Sequence, residues 1–323
     1  MLDIRFPNLG LLLENVKEGI TIGGLEIKFY GIIIALGFLI AYLIVTKEAK
    51  RTGQDEELYL DFLLWLIIPA ILGARLYYVI FNSGEYFASG KGFGQTLLDI
   101  INIRNGGLAI YGGVIAGVIV AIIFAKKKKA NFALMADTVS MGLLVGQIMG
   151  RWGNFFNREA FGGPTDSLFA MCIPTEYFVE KGNLTALVNE GIITQDMVAA
   201  ENYDAMQWIS VHPTFLYESL WNIIILIIIF AYRKHKKFDG ELGLIYLWGY
   251  GLGRVWIEAL RTDSLMVPGI NMKVSQLVAA ICVLAASIVL VKMRMKYVSA
   301  TPDKAKTVKV ATSEDDDEDS DEE

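Results

Sequence analysis

The chain has 323 residues, 54% of them hydrophobic, and a formal net charge of -6. Most of that charge is one acidic run at 314–323, without which the body is slightly basic, so the charge supplies no case for a nucleic-acid partner. The positive mean hydropathy excludes an ordinary soluble domain of this size.

In chain order, the first 29 residues carry scattered charges and lack a basic start followed by an apolar core, so no cleavable signal peptide is expected. Seven apolar blocks follow, at roughly 30–46, 58–81, 108–125, 132–150, 213–232, 241–260 and 274–291. Each approaches the ~20 residues needed to cross the hydrocarbon core of a bilayer. In lipid, such runs must satisfy their backbone hydrogen bonds internally, which predicts helices. Basic clusters follow the first, third, fifth and seventh blocks: Lys47, Lys50 and Arg51; Lys126 to Lys129; Arg233, Lys234, Lys236 and Lys237; and Lys292, Arg294 and Lys296. Seven spans put all four on one side, which the positive-inside rule assigns to the cytoplasm, leaving the N-terminus outside and the C-terminus inside. The fold expected is an all-α integral membrane protein with seven transmembrane helices. An extracytoplasmic cap, 151–212, lies between spans four and five and includes an amphipathic stretch from Met197 to Ile209. The loop 82–107 is shorter and Gly-rich. The membrane domain occupies 1–292, and 293–323 reads as a cytoplasmic tail, basic and then acidic, expected to be disordered. Cys282 lies in an apolar block, and with Cys172 it suggests neither a disulfide framework nor a metal site.

Charges inside spans are costly and mark function or a pairing need. Asp61, Arg75, Asp137, Glu218, Arg254 and Glu258 are such charges. The seven-span topology carries Tyr30, Arg75, Tyr111, Arg151, His212, Glu218, Arg254, Glu258 and Arg261 toward the outer half of the bilayer. For any one of them, a hydrogen bond that fixes the bundle is an equal reading. Their convergence at one depth favours a site at the outer leaflet. Arg254, Glu258 and Arg261 follow i, i+4, i+7 spacing and share a helix face, either as an internal ion pair or as a guanidinium aimed by a carboxylate at an anion. Arginine suits phosphate because its planar fork donates two parallel hydrogen bonds.

Residues 150–163 read GRWGNFFNREAFGG, which sets Arg151, Asn154, Asn157 and Glu159 where span four meets the outer surface. Composition alone leaves a polar loop as an alternative. The order of residues resembles the signature G-R-x-G-N-F-x-N-x-E-x-x-G of prolipoprotein diacylglyceryl transferases. Supporting segments also resemble that family: FYG at 29–31, GAR at 73–75, GGLAIYGG at 106–113, HPTFLYE at 212–218 and GLGRVWIEALRTD at 251–263. Together the likeness covers roughly residues 20–292.

The resemblance implies an enzyme of the bacterial plasma membrane. It would move the sn-1,2-diacylglyceryl group of phosphatidylglycerol onto the lipobox cysteine of a prolipoprotein, forming a thioether and releasing glycerol phosphate, with no metal or organic cofactor. Two tasks follow: making the acceptor thiolate, from a thiol of ordinary pKa about 8.5, and stabilising charge on the leaving phosphate. Arg151 and Arg254 are the candidates for the phosphate. Glu258 and Glu159 would orient them or bind the glycerol head, and Asn154 would donate to a head-group oxygen. Tyr30, Arg75 and Arg261 complete the candidate binding set. Many members carry His-Gly-Gly where this chain has Tyr111-Gly112-Gly113, so a mechanism needing an imidazole there does not transfer directly. Tyr111, Tyr30 and His212, the one outer histidine, stay open as proton carriers, and for His212 a helix-start role beside Pro213 is an equal reading. A small-anion transporter would spread its charges through the full membrane depth. A scaffold gives no reason for charges in the spans, and a phosphatidyl-alcohol transferase would need clustered aspartates on one helix.

Overall fold

The structure, a computed structural model, describes residues 2–87, 92–103, 106–182, 184–189, 191–193, 208–264, 266–267, 269–270 and 272–300. Long helices dominate: α1 (Phe29–Arg51), α2 (Glu57–Phe81), α5 (Ile110–Lys128), α6 (Phe132–Asn157), α9 (Thr214–Tyr232), α10 (Glu241–Leu260) and α11 (Val274–Ala300). Short helices α3 (Ser83–Phe87), α4 (Phe93–Ile101), α7 (Thr175–Glu180) and α8 (Leu184–Asn189) occupy the connections. Among the described residues, six helices are long and apolar enough to cross a membrane: α1, α2, α5, α6, α9 and α11. The sixth expected block is also a helix, α10, but it falls outside that set; it carries Glu241, Arg254 and Glu258 among glycines and aromatics.

The chain divides into two compact units, Met1–Ala41 with Ser140–Glu323, and Tyr42–Val139. In the second unit, α2 packs against α5 where both backbones are bare. A methyl group added at Gly73 would lie 2.7 Å from the carbonyl oxygen of Gly112, and one at Gly112 would lie 2.8 Å from the carbonyl carbon of Gly73. Small residues let helices approach closely in lipid, where no hydrophobic force drives them together. Beside this contact, Phe62, Phe124, Ala125, Tyr59, Met135, Val45 and Ala49 form a buried cluster. Leu72, Leu76, Ile80, Val114 and Ile115 stay exposed on the outer surfaces of α2 and α5, as lipid-facing side chains do.

The purely helical expectation is corrected in the first unit. Strands β1 (Ile4–Phe6), β2 (Leu11–Leu13), β5 (Met171–Pro174) and β6 (Trp208–Val211) form an antiparallel sheet in the order β2-β1-β5-β6. Arg5 pairs with Cys172, and Met171 with Val211. The N-terminal segment is thereby paired with strands of the connection between α6 and α9. Ile4, Phe6, Phe161, Met171, Ile173, Phe178, Ile209, Val211 and Phe215 fill their shared core. A separate hairpin, β3 (Gly19–Ile22) and β4 (Leu25–Lys28), turns at Gly23-Gly24, where both φ angles are positive, as a two-residue hairpin turn requires.

Three boundaries also move. The expected cap boundary at 151 falls inside α6, which continues to Asn157, and the expected 82–107 loop contains α3 and α4. Helix α11 runs through Lys292, Arg294 and Lys296, so the expected tail boundary at 292 lies within a helix. Most of the Met197–Ile209 stretch, and the chain beyond 300, lie outside the described residues.

Candidate functional site

The site is built from three long helices of the first unit. Arg151 and Asn154 lie on the last turns of α6, Glu218 on the second turn of α9, and Arg254 and Glu258 near the end of α10. Glu218 is almost fully buried, at 2% exposure. A lone carboxylate there would be prohibitively desolvated, and its partners are the two candidate arginines. Its Oε2 lies 2.8 Å from Nη2 of Arg151 and 2.8 Å from Nη1 of Arg254. One acid therefore joins the guanidinium groups of two separate helices. Arg254 extends its other terminal nitrogen to Glu258 in a close ion pair at i, i+4, and Glu258 accepts a 2.6 Å hydrogen bond from the Ser264 hydroxyl. The intrahelical pair read from the sequence is present, and Arg254 holds Glu218 with its other terminal nitrogen.

From Arg151 a polar chain continues outward. Its Nη1 donates to Asn154 Oδ1 at 3.3 Å, and Asn154 Nδ2 donates to Glu159 Oε1 at 2.8 Å. Asn157 Nδ2 reaches the same oxygen at 3.4 Å. The signature segment thus links its own Arg to an Asn, and both asparagines meet at Glu159. The glycine at 153 serves a separate purpose: a methyl group there would lie 2.7 Å from Tyr30 Cδ2. Only glycine lets the Tyr30 ring lie flush on α6, within range of the charges on Arg151 and Glu159.

The segment after Glu159 is stitched to both neighbouring helices. The Gly162 amide donates to the His212 carbonyl at 2.9 Å, and the Gly163 amide to the Leu260 carbonyl at 2.9 Å. The His212 amide returns a bond to the Gly163 carbonyl at 3.1 Å, and the Thr214 hydroxyl donates to the Ala160 carbonyl. These bonds carry the family-like segments 150–163, 212–218 and 251–263 into one neighbourhood.

Arg261 pairs with its neighbour Asp263. Its Nε and Nη2 donate to the two oxygens of Asp263 at 2.9 and 2.7 Å. Burial would raise the Asp263 carboxyl, but the Arg261 guanidinium outweighs it and holds Asp263 below the usual carboxylate range. Lys273 closes the end of α10, donating to the carbonyls of Glu258 at 2.7 Å, Ala259 at 3.1 Å and Arg261. A cation at a helix C-terminus satisfies otherwise orphaned carbonyls and opposes the helix dipole. His212 is partly buried, with Nδ1 3.4 Å from the Tyr217 hydroxyl, and burial lowers its imidazole below the ordinary 6.5.

Two candidates belong to the other unit. Tyr111 begins α5, its ring centroid 6.4 Å from that of Tyr77. Arg75 is buried in the C-terminal part of α2 and spends its donors on the backbone. Nε bonds the Ile100 carbonyl at 2.7 Å, Nη1 those of Gly106 and Gly107 at 3.0 and 2.8 Å, and Nη2 those of Asp99 and Asn102 at 2.7 and 3.1 Å. A guanidinium has five N–H donors, so this arrangement leaves none for a head group, and the binding role expected of Arg75 gives way to a structural one. Sequence reading placed Glu218 among the converging span charges and in the segment 212–218 but gave it no role in the site. Its place seven residues into a block that opens with His-Pro was the available signal, but a sequence does not name an acid's partners. Among the described residues, no cluster of His, Cys, Asp and Glu has metal-binding geometry.

The family model described as prolipoprotein diacylglyceryl transferase matches residues 17–292. The chain belongs to the prolipoprotein diacylglyceryl transferase family. A relative from Finegoldia magna is 37% identical over 285 residues, covering 88% of this chain and 98% of its own. One from Clostridioides difficile is 37% identical over 284 residues with the same coverage, and one from Oceanobacillus iheyensis is 39% identical over 287 residues, 88% of this chain and 89% of its own. Each bears the name phosphatidylglycerol–prolipoprotein diacylglyceryl transferase. Every residue of the Arg151, Glu218 and Arg254 cluster falls within the stretch this family matches.

Proposed function

We propose that this protein is a multi-pass enzyme of the bacterial plasma membrane that transfers the diacylglyceryl group of phosphatidylglycerol to a prolipoprotein. The acceptor is the lipobox cysteine, and the reaction runs at the extracytoplasmic face. Its sulfur attacks a glyceryl carbon as the carbon–oxygen bond to phosphate breaks. A thioether forms, glycerol phosphate leaves, and the thiol proton passes to a base.

The observation that carries this reading is the buried Glu218 carboxylate holding Arg151 and Arg254 together. Two guanidinium groups from different helices, fixed by one acid, form a preorganised site for a phosphodiester. Preorganised donors stabilise developing charge without reorganising during the reaction. Glu258 orients Arg254 from the other side, while Asn154 and Glu159 offer hydrogen bonds to a glycerol hydroxyl. His212, Tyr30 and Tyr111 are the candidate proton carriers, and no metal or organic cofactor enters the reaction.

In this reading α10 also spans the membrane, as the sixth of seven helices. Its charges are tolerated because they pair inside the helix bundle. The basic residues closing α1, α5 and α9 and lining the end of α11 set those ends in the cytoplasm and the N-terminus outside. The test is direct: purified enzyme, phosphatidylglycerol vesicles and a synthetic lipobox peptide. A thioether-linked diacylglyceryl peptide is the expected product, and its absence with a Ser-for-Cys peptide confirms the acceptor. No product from the Cys peptide overturns the assignment.

A further inference from the structure

Helix α4 has three distinct sides. Thr96 is buried, and Ile100 and Asp99 are half-buried. Gln95 is exposed and donates to Asp99 at 3.0 Å, one turn along. On the remaining side Leu97, Leu98 and Ile101 are 46%, 63% and 65% exposed. At 100° per residue these three side chains share one arc, which faces away from the Gln95–Asp99 edge. The helix lies in the connection between α2 and α5, two helices long and apolar enough to span a membrane, whose outer surfaces are also exposed and apolar.

The geometry points to α4 as an interfacial helix lying in the bilayer surface, with Leu97, Leu98 and Ile101 in the acyl border and Arg75 as the positioning residue that holds it there. An amphipathic helix with one apolar and one polar face rests at the lipid–water boundary. The occupant of the exposed arc is lipid because the apolar surfaces of α2 and α5 lead into it on both sides in the chain. Arg75 reaches α4 through its backbone. Three of its five bonds go to the carbonyls of Asp99, Ile100 and Asn102, at the end of α4, where carbonyls lack helical partners. The other two go to Gly106 and Gly107, three residues before α5 begins. One buried cation therefore ties α4 and the entry to α5 onto α2.

The test uses the full chain with Cys172→Ser and Cys282→Ser, in nanodiscs containing phosphatidylglycerol, spin-labelled one site at a time. Labels at Leu98→Cys and Ile101→Cys are expected to collide several-fold more with oxygen, which concentrates in lipid, than with an aqueous nickel chelate. A label at Gln95→Cys is expected to show the reverse preference. Equal preference at 95 and 98 overturns the interfacial placement, as does exclusion of both reagents at 98, which would mean a protein partner covers that face. Adding Arg75→Gln is expected to lower the oxygen preference at 98 several-fold while leaving a label at Ile227→Cys on α9 unchanged. Arg75→Lys, which keeps the charge but three donors, is expected to fall between. An undiminished preference in Arg75→Lys and Arg75→Gln overturns the role given to Arg75.

Discussion

Arginine pairs repel unless an anion separates them, and here the buried Glu218 does so. Removing either arginine strips a donor from the phosphate and leaves Glu218 with one partner fewer. Arg151→Ala and Arg254→Ala are each expected to lower transfer roughly 100- to 1000-fold or below detection. The protein should stay inserted, as read by its amount in washed membranes; wild-type rates in both would remove the pair from the mechanism. His212→Gln is expected to give a milder loss. As a base, His212 works neutral, and burial lowers its pKa, so the acid limb of the kcat/KM profile should lie below the ordinary 6.5. The sign is fixed: a lowered pKa keeps the imidazole unprotonated into more acidic solution. An unchanged profile in His212→Gln would assign that limb elsewhere. Proximity was legible where both partners lie in one motif, as with Asn154 and Glu159, which hydrogen-bond each other. Arg75 was not legible, because its partners are main-chain carbonyls, which any residue carries.

At the scale of elements, the long helices were legible because an apolar run of spanning length is a one-dimensional signal. The strands were not. Each is three or four residues long, and β1 and β5 find each other across more than 160 residues of chain. Glu18 closes the foot of the β3–β4 hairpin, meeting Lys28 at 2.8 Å, Lys181 at 2.6 Å and the Tyr177 hydroxyl at 2.7 Å. Burial works against its charge, but these three partners prevail and hold its carboxyl at about 2 against an ordinary 4.5. A lowered carboxylate pKa stabilises the fold above the unfolded value and loses that contribution as pH falls. The cap should therefore loosen progressively from pH 4.5 toward 2, as followed by proteolysis near Lys28 and Lys181 with an acid-active protease. Glu18→Gln should remove most of that pH dependence and already be loosened at neutral pH. In the other unit, Gly112→Ala drives a methyl group into the Gly73 backbone. Roughly 1–3 kcal/mol of destabilisation is expected, seen as a lower melting temperature in detergent. An unshifted melting curve would mean that α2 and α5 separate without cost.

At the scale of the whole molecule, class and family were legible together, since composition restricts the chain to a membrane and one ordered segment names the chemistry. The paired basic ends and the acidic run set a further expectation. An epitope fused after residue 323 should be accessible only after the inner membrane is breached, whereas one at the N-terminus should be reached in spheroplasts. Two epitopes exposed on the same side would imply an even number of crossings and remove α10 from the count.

The carboxylate between the two guanidinium groups also bears on turnover. In the proposed reading the cations have a resident counter-ion before any lipid arrives, so a phosphodiester shares their charge with Glu218 and is held less tightly than bare arginines would hold it. The same shared charge would ease the departure of the spent phosphate, with Glu218 keeping its place throughout. A site with bare arginines would grip its by-product as firmly as its substrate; this one tempers its hold on both.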